Sequence, residues 1–340
     1  MSLLLDARRV IGNESYSERF LTFLGHTNQK IITSRLIEIL LSALNAYTGL
    51  LDKNIVSMLD FGCGEGTLAK QLIRLLRQLH RKGIHYTGLD HQHGFVIAIK
   101  ESLSSLEDPL LKVDAYQANL FSNQPLHASR VDIVVASHML YYCYDPNDLD
   151  ISHHKARAFM KTVFDSLLHN SIAIMIHESC ESDVRELGTR FGSMIMPDPP
   201  GIIDDICQEG QVVRVAIPFQ SLLRFPELSD TKWKALESTE TLYQACFVSE
   251  MRTTVHLLGF IVQQNLMASE NSTLRQFVQA TREKLEASDE HSLTIHSNMQ
   301  ILISPEHDPI FVDGIMRAAD QVREQVPSIV HGCHQYSMAR

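Results

Sequence analysis

Along the chain, short apolar runs alternate with longer stretches in which apolar residues recur every three or four places. The clearest run is Ile55-Val56-Ser57-Met58-Leu59-Asp60-Phe61, followed by Gly62-Cys63-Gly64-Glu65-Gly66 and then by Leu68, Leu72, Leu75, Leu76 and Leu79 on one helix face. This predicts a buried parallel strand, a tight turn and a helix, the opening unit of a doubly wound sheet. Further strands are expected at 83–90, 112–118, 131–137 and 171–176, with helices at 94–106 and 154–168 between them. A helix capped by Ser249 and ending at Leu257-Leu258-Gly259, a sixth strand beginning at Phe260-Ile261-Val262-Gln263, a helix at 272–287 and a last strand at 293–303 complete the pattern. The fold expected is therefore α/β, a doubly wound, seven-stranded, mostly parallel sheet.

Outside that core the pattern changes. Residues 13–48 read as two helices broken at Gly25-His26-Thr27-Asn28, where Thr27 or Asn28 can cap the second. They either pack on the sheet or form a lid near the carboxyl ends of the strands. Residues 178–240 lack clean alternation, and Met196-Pro197-Asp198-Pro199-Pro200-Gly201 reads as a turn, so this stretch is expected to be an insertion of turns and short helices. The organisation expected is a helical lid at 1–50, a cofactor-binding α/β core at 51–178, an inserted substrate-pocket region at 179–248, the end of the core at 249–304, and a tail at 305–340 with a helix around 309–325.

The glycines carry the first chemistry. Gly62 and Gly64 remove side chains where a ligand would lie on the backbone, and Gly66 lets the helix start close to the strand. A helix N-terminus offers free N–H groups to a polar ligand. The spacing is not the dinucleotide fingerprint, because one residue, not two, separates Gly64 from Gly66. Asp60, at the strand end, would repel a pyrophosphate but suits a cationic amino-acid ligand. Asp90 ends the second strand, 24 residues after Gly66, where a carboxylate can accept from both hydroxyls of a ribose.

Composition narrows the function. The 340 residues are 44% hydrophobic with a mean hydropathy of -0.06, giving ample core, and no apolar run reaches membrane-spanning length. The start of the chain lacks the apolar region of a secretory signal, and six scattered cysteines without a C-x-x-C fit reduced thiols, so a cytoplasmic location is expected. A net charge of -10 with no basic cluster argues against nucleic acid and for a small-molecule or protein substrate. His91-x-His93, His153-His154 and His331-x-Cys333-His334 lack a second half at zinc spacing, so no metal is expected.

Asp60-Phe61-Gly62-Cys63-Gly64-Glu65-Gly66 resembles the first motif of class I S-adenosylmethionine-dependent methyltransferases. The resemblance implies a Rossmann-like methyltransferase fold whose last strand is antiparallel, with S-adenosyl-L-methionine as cofactor. It places Asp60, Gly62 and Gly64 at the methionine moiety, Asp90 with His91 at the ribose, Asn119 and Leu120 at the adenine, and Ser137 beside the reacting centre. Within that family, Tyr16–Thr27 and His138-Met139-Leu140-Tyr141-Tyr142 resemble histamine N-methyltransferase, with a weaker match at Leu187–Phe191. The resemblance implies that Gln29, His138, Tyr142 and His296 face the acceptor. Gln29 stands where that family has a glutamate for its substrate's ammonium, so histamine itself is not implied. His138 and Tyr142 are the catalytic candidates, Tyr142 through an aromatic face that can hold a cation and His138 as a base if one is used. The reaction expected is methyl transfer to a nitrogen, in preference to oxygen, of a small molecule. The alternatives are a protein side-chain methyltransferase and an inactive, cofactor-binding regulator.

Overall fold

A computed structural model describes residues 13–120, 129–143, 148–191, 199–210, 212–238, 251–262 and 271–336. Helices α1 (Asn13–His26) and α2 (Gln29–Thr48) precede β1 (Ile55–Phe61), α3 (Thr67–Leu79), β2 (Gly83–Asp90), α4 (His93–Ser104), β3 (Leu111–Gln117) and β4 (Val131–Ser137). After a single turn of 3-10 helix at Leu140–Cys143 come α5 (Leu149–Asp165), β5 (Leu167–Glu178), α6 (Asp183–Arg190) and α7 (Pro199–Glu209). The chain continues through β6 (Arg214–Arg224), α8 (Asp230–Ser238), α9 (Arg252–Val262), α10 (Asn271–Ala287), β7 (Ser292–Ile303) and α11 (Pro309–Tyr336).

The seven strands lie in the order β3-β2-β1-β4-β5-β7-β6, with β7 antiparallel to both its neighbours and the rest parallel. The doubly wound sheet read from the sequence is present. The order reverses between β1 and β4, which creates a crevice outside their carboxyl ends. Helices cover both faces, as an all-apolar parallel strand requires. On one face α2, α3, α4 and α11 bury Ile32, Leu36, Leu40, Leu72, Leu76 and Ile315 against the sheet, and on the other α5 and α7 bury Phe159, Met160, Val163 and Ile203.

The sequence reading of the later chain needs two corrections. The sixth strand does not begin at Phe260: Phe260, Ile261 and Val262 end helix α9, while Ser249 and Gln263 lie outside the described residues. Instead the sheet takes β6 from the stretch expected to hold only turns and short helices. Val215, Ile217, Phe219, Ser221 and Leu223 alternate inward along it, and Pro218 is tolerated because β6 is an edge strand whose outer side needs no partner. Two boundaries also move. Helix α5 starts at Leu149, where the Asp148 carboxylate accepts from the Ile151 N–H at 3.0 Å, and α11 runs through Pro327 to Tyr336.

Helix α2 is a core element. Ile32, Leu36, Ile37, Leu40 and Leu44 are fully buried between α3 and α11, so it is fixed to the sheet along its length. Its first turn is pinned to β6: Asn28 donates its N–H to the Leu222 carbonyl at 3.3 Å and accepts the Leu222 N–H on its side-chain oxygen at 2.8 Å. Of the two caps expected, Asn28 is thus spent on tertiary contact, while the Thr27 hydroxyl accepts the Gln29 N–H at 3.2 Å. Only the start of α2 overlooks the carboxyl ends of the strands.

Candidate active site

The glycine turn is stitched to the end of β2. Gly62 and Cys63 both donate their N–H groups to the Leu89 carbonyl, at 2.7 and 3.1 Å. Gly62, Gly64 and Gly66 have φ of 72°, 54° and 84°, the left-handed region that a side chain disfavours. Their surroundings differ. A Cβ on Gly62 would run into the Met139 sulfur and one on Gly66 into Ile99, whereas one on Gly64 would meet nothing within 4 Å. Gly64 therefore borders open space on the side where a ligand would lie.

Two carboxylates flank this space. Asp90 accepts the Gly64 N–H on Oδ2 at 3.0 Å and the Gln92 N–H on Oδ1 at 2.9 Å, which leaves each oxygen a further lone pair for a hydroxyl. The exposed His91 ring stands 3.4 Å from Oδ1 and 6.3 Å from the Tyr142 ring. Asp60 is almost wholly buried, with the Tyr86 hydroxyl donating to it at 2.9 Å. Burial lifts its pKa from 3.8 to about 7, against the pull of Tyr86 and Lys30 and with the help of Asp90 and Glu65. Such a carboxyl is built to receive a cation.

The adenine-side residues lie at the end of β3. Leu120 is buried with Phe61, Leu89 and Met139, and Asn119 is exposed beside it; the Ala118 N–H just before them bonds the Asp90 carbonyl at 2.8 Å. Residues 121–128 lie outside the described part.

At the end of β4, half-buried Ser137 leads into His138, whose φ is 58° and whose N–H bonds the Ile176 carbonyl at 2.8 Å. His138 Nδ1 lies 2.9 Å from the Tyr141 hydroxyl, and that hydroxyl accepts the Glu178 N–H at 2.5 Å. Nδ1 is the acceptor within reach of the Tyr141 proton, which assigns the ring hydrogen of neutral His138 to Nε2. Burial, with Lys30 and Arg185 nearby, pulls the His138 pKa down to about 3. The Arg185 guanidinium lies 4.7 Å over the Tyr141 ring, and His177, fully buried, meets the same ring edge-on at 5.9 Å.

The acceptor residues expected from the sequence fall in two places, Gln29 and His296 near β7 and His138 and Tyr142 after β4. Gln29 is buried and donates to Ser297 Oγ at 3.0 Å. His296 is the neighbour of Ser297 on β7. It lies 3.4 Å from the Gln220 amide and lines a cavity of about 810 Å³ that Ser297, Cys180, Asn298 and His331 also line. Tyr142 stands beside His91, on the side of Asp90. The sequence reading missed Tyr141, which holds His138, and it missed Lys30, Glu178 and Arg185. Lys30 follows Gln29 directly, and its charge at the first turn of a helix facing three acids was the available signal.

The family model described as a methyltransferase domain matches residues 59–167. No curated protein matches the chain. Among solved structures, a Bacillus halodurans protein provisionally assigned as a methyltransferase is 12% identical, the alignment covering 78% of this chain and 98% of that one with a TM-score of 0.45. The YcgJ protein from Bacillus subtilis gives 11%, 77%, 98% and 0.45, and N-methyltransferase NodS from Bradyrhizobium japonicum, in complex with S-adenosyl-L-homocysteine, gives 14%, 55%, 79% and 0.36. The open face of Gly64, the further lone pairs of Asp90 and the buried Asp60 carboxyl fit S-adenosyl-L-methionine. The family match runs from the end of β1 to the start of β5 and so takes in the turn and the strands around it; over these residues the chain is similar to methyltransferase domains.

Proposed function

We propose that the protein is an S-adenosyl-L-methionine-dependent methyltransferase whose acceptor is a small molecule methylated on a neutral nitrogen. The observation that supports this reading is the poverty of bases beside Ser137 and His138. His138 is held neutral with its hydrogen on Nε2, and burial pushes Tyr141 up well beyond the usual phenol range. The Glu178 carboxylate is occupied by the Ser182 hydroxyl and lies near Arg185. An alcohol or phenol would need a group to take its proton; an amine or imidazole nitrogen attacks with its own lone pair.

Bound along the glycine turn, S-adenosylmethionine supplies an activated methyl group together with its own leaving group. The protein's part is alignment and exclusion of water. His138 Nε2–H donates to a lone pair of the acceptor away from the attacking nitrogen, Tyr141 and the Glu178 N–H fix the angle of that donor, and Gln29 borders the acceptor through Ser297. Tyr142 closes the cofactor side beside His91. Asp60 would hold the methionine end of the cofactor and Asp90 its ribose.

Labelled methyl transfer from S-adenosylmethionine to panels of amines, imidazoles, phenols and carboxylic acids, and separately to cell protein, tests the proposal. N-methylated small molecules are expected, with rates that rise with pH only as the acceptor itself deprotonates. O-methyl products, or label in protein alone, would overturn it.

A further inference from the structure

The mouth of the cofactor site holds an excess of acid that one lysine interrupts. Asp60, Glu65 and Asp90 lie on or beside the glycine turn. From the first turn of α2, Lys30 reaches across and binds Glu65 Oε1 at 2.7 Å, while Glu65 Oε2 is buried without a partner. The same ammonium lies 5.6 Å from the centre of the Phe20 ring. Its charge is felt at both Asp60 and His138, so it lies near the buried acid and the residue that follows β4. The start of α2 has no acidic residue in its first turn, and its Asn28 side chain makes no cap. The positive end of a 20-residue helix therefore faces the same space.

The amino-acid part of the cofactor is a zwitterion. Its ammonium has a partner in Asp60, but its carboxylate would meet three acids unless a cation receives it. We infer that Lys30 is that cation: its ammonium leaves or shares Glu65 to bind the cofactor's carboxylate, so that the first turn of α2 becomes part of the cofactor site. The inference rests on the cofactor assignment and adds a binding residue outside the glycine turn. Glu65, in this arrangement, holds Lys30 in position while the site is empty. A lysine on a helix bound along its whole length to the sheet reaches the ligand without movement of the helix, since four methylenes give the ammonium its range.

Calorimetry on the full chain with S-adenosylhomocysteine and with its decarboxylated analogue separates this role from a purely structural one. Wild type is expected to prefer the carboxylated compound by about tenfold to a hundredfold, the range of one charge-assisted hydrogen bond. In Lys30→Met that preference disappears because S-adenosylhomocysteine weakens while the decarboxylated compound holds within about twofold. Lys30→Arg restores most of it. Equal weakening of both compounds in Lys30→Met would show that Lys30 only braces the turn, and unchanged binding of both would show that it does nothing; either result overturns the inference. Failure of wild type to bind either compound would sink the cofactor assignment itself, and the inference with it. Lys30 is partly exposed, so unchanged melting of Lys30→Met without ligand is the control for folding.

Discussion

At Gly64 an added methyl would enter open space, whereas at Gly62 it would drive into the Met139 sulfur. Both positions have left-handed backbone, which costs a side chain roughly 1–2 kcal/mol. Gly64→Ala is expected to fold with about that loss of stability and to lose most of its cofactor affinity, because the methyl occupies the ligand's place. Gly62→Ala is expected to lose more stability, since Met139 lies in a packed cluster with Leu59, Phe61 and Leu140. Urea denaturation beside calorimetric titration of each variant checks the contrast; equal effects on both readouts would refute it. Asp60 offers a second test at this scale. Its native pKa of about 7 lies above the ordinary 3.8, so the folded protein holds the proton more tightly than the open chain. Without ligand, stability therefore falls as pH rises from about 4 to about 7 and then levels off. Tyr86, Lys30, Glu65 and Asp90 are the charged or titratable groups that set this value. A ligand ammonium against Asp60 expels the proton, so near pH 6 binding of S-adenosylhomocysteine should release close to one proton, and above about pH 8 almost none. Titration in buffers of different ionisation enthalpy measures the release, and Asp60→Asn should abolish it.

The elbow between α1 and α2 shows how an element is placed by a few polar bonds. Asn28 makes two hydrogen bonds to Leu222 on β6, one through its backbone and one through its side chain. Removing the side-chain bond leaves the Leu222 N–H buried without its partner, so Asn28→Ala should cost about 1–3 kcal/mol. Amide exchange should rise at Thr27–Lys30 and Leu222 before it rises elsewhere. Protection unchanged there would mean that the apolar face of α2 alone fixes the turn. Legibility from sequence followed the same physics. Strands β1, β2 and β4 were readable because strands buried on both faces read as unbroken apolar runs, and the acids and glycines that end β1 and β2 announced the site. Strand β6 was not, because its inward row includes Ser221 and its middle holds Pro218, two residues that dilute the apolar alternation. Phe260-Ile261-Val262 misled for the converse reason: three consecutive apolar residues fit a strand or the end of a buried helix equally well. In the site, Asp60, Gly64, Asp90 and His138 were legible as motif residues. The bond from Tyr141 to His138 was not, because it depends on the Glu178 N–H arriving from a strand 37 residues further on.

The whole molecule has two ends joined by its longest strands. Around β1 to β5 the apolar residues form the sheet's two main layers, while α6, α8, α9 and α10 build a further cluster around Trp233, Leu257, Leu274 and Phe277. Strands β6 and β7 belong to both. Val215, Ile217, Phe219, Met299 and Ile301 pack in the first region; Leu223, Leu293 and Ile295 pack in the second. A boundary drawn through continuous hydrogen-bonded strands is costly to open, so the two ends should unfold together. Trp233 is the chain's single tryptophan and is 2% exposed, which makes its fluorescence a reporter of the second cluster alone. Far-UV circular dichroism reports the whole. The two thermal transitions are expected to coincide. S-adenosylhomocysteine, held at the ends of β1 and β2, should then shift the Trp233 transition as far as the dichroism transition. At about 100 times Kd that stabilisation is ~2.7 kcal/mol. A Trp233 midpoint that stays in place while the dichroism midpoint climbs would show that the helices beyond β6 fold as a unit of their own, and that the long strands are a bridge between two stabilities and not one.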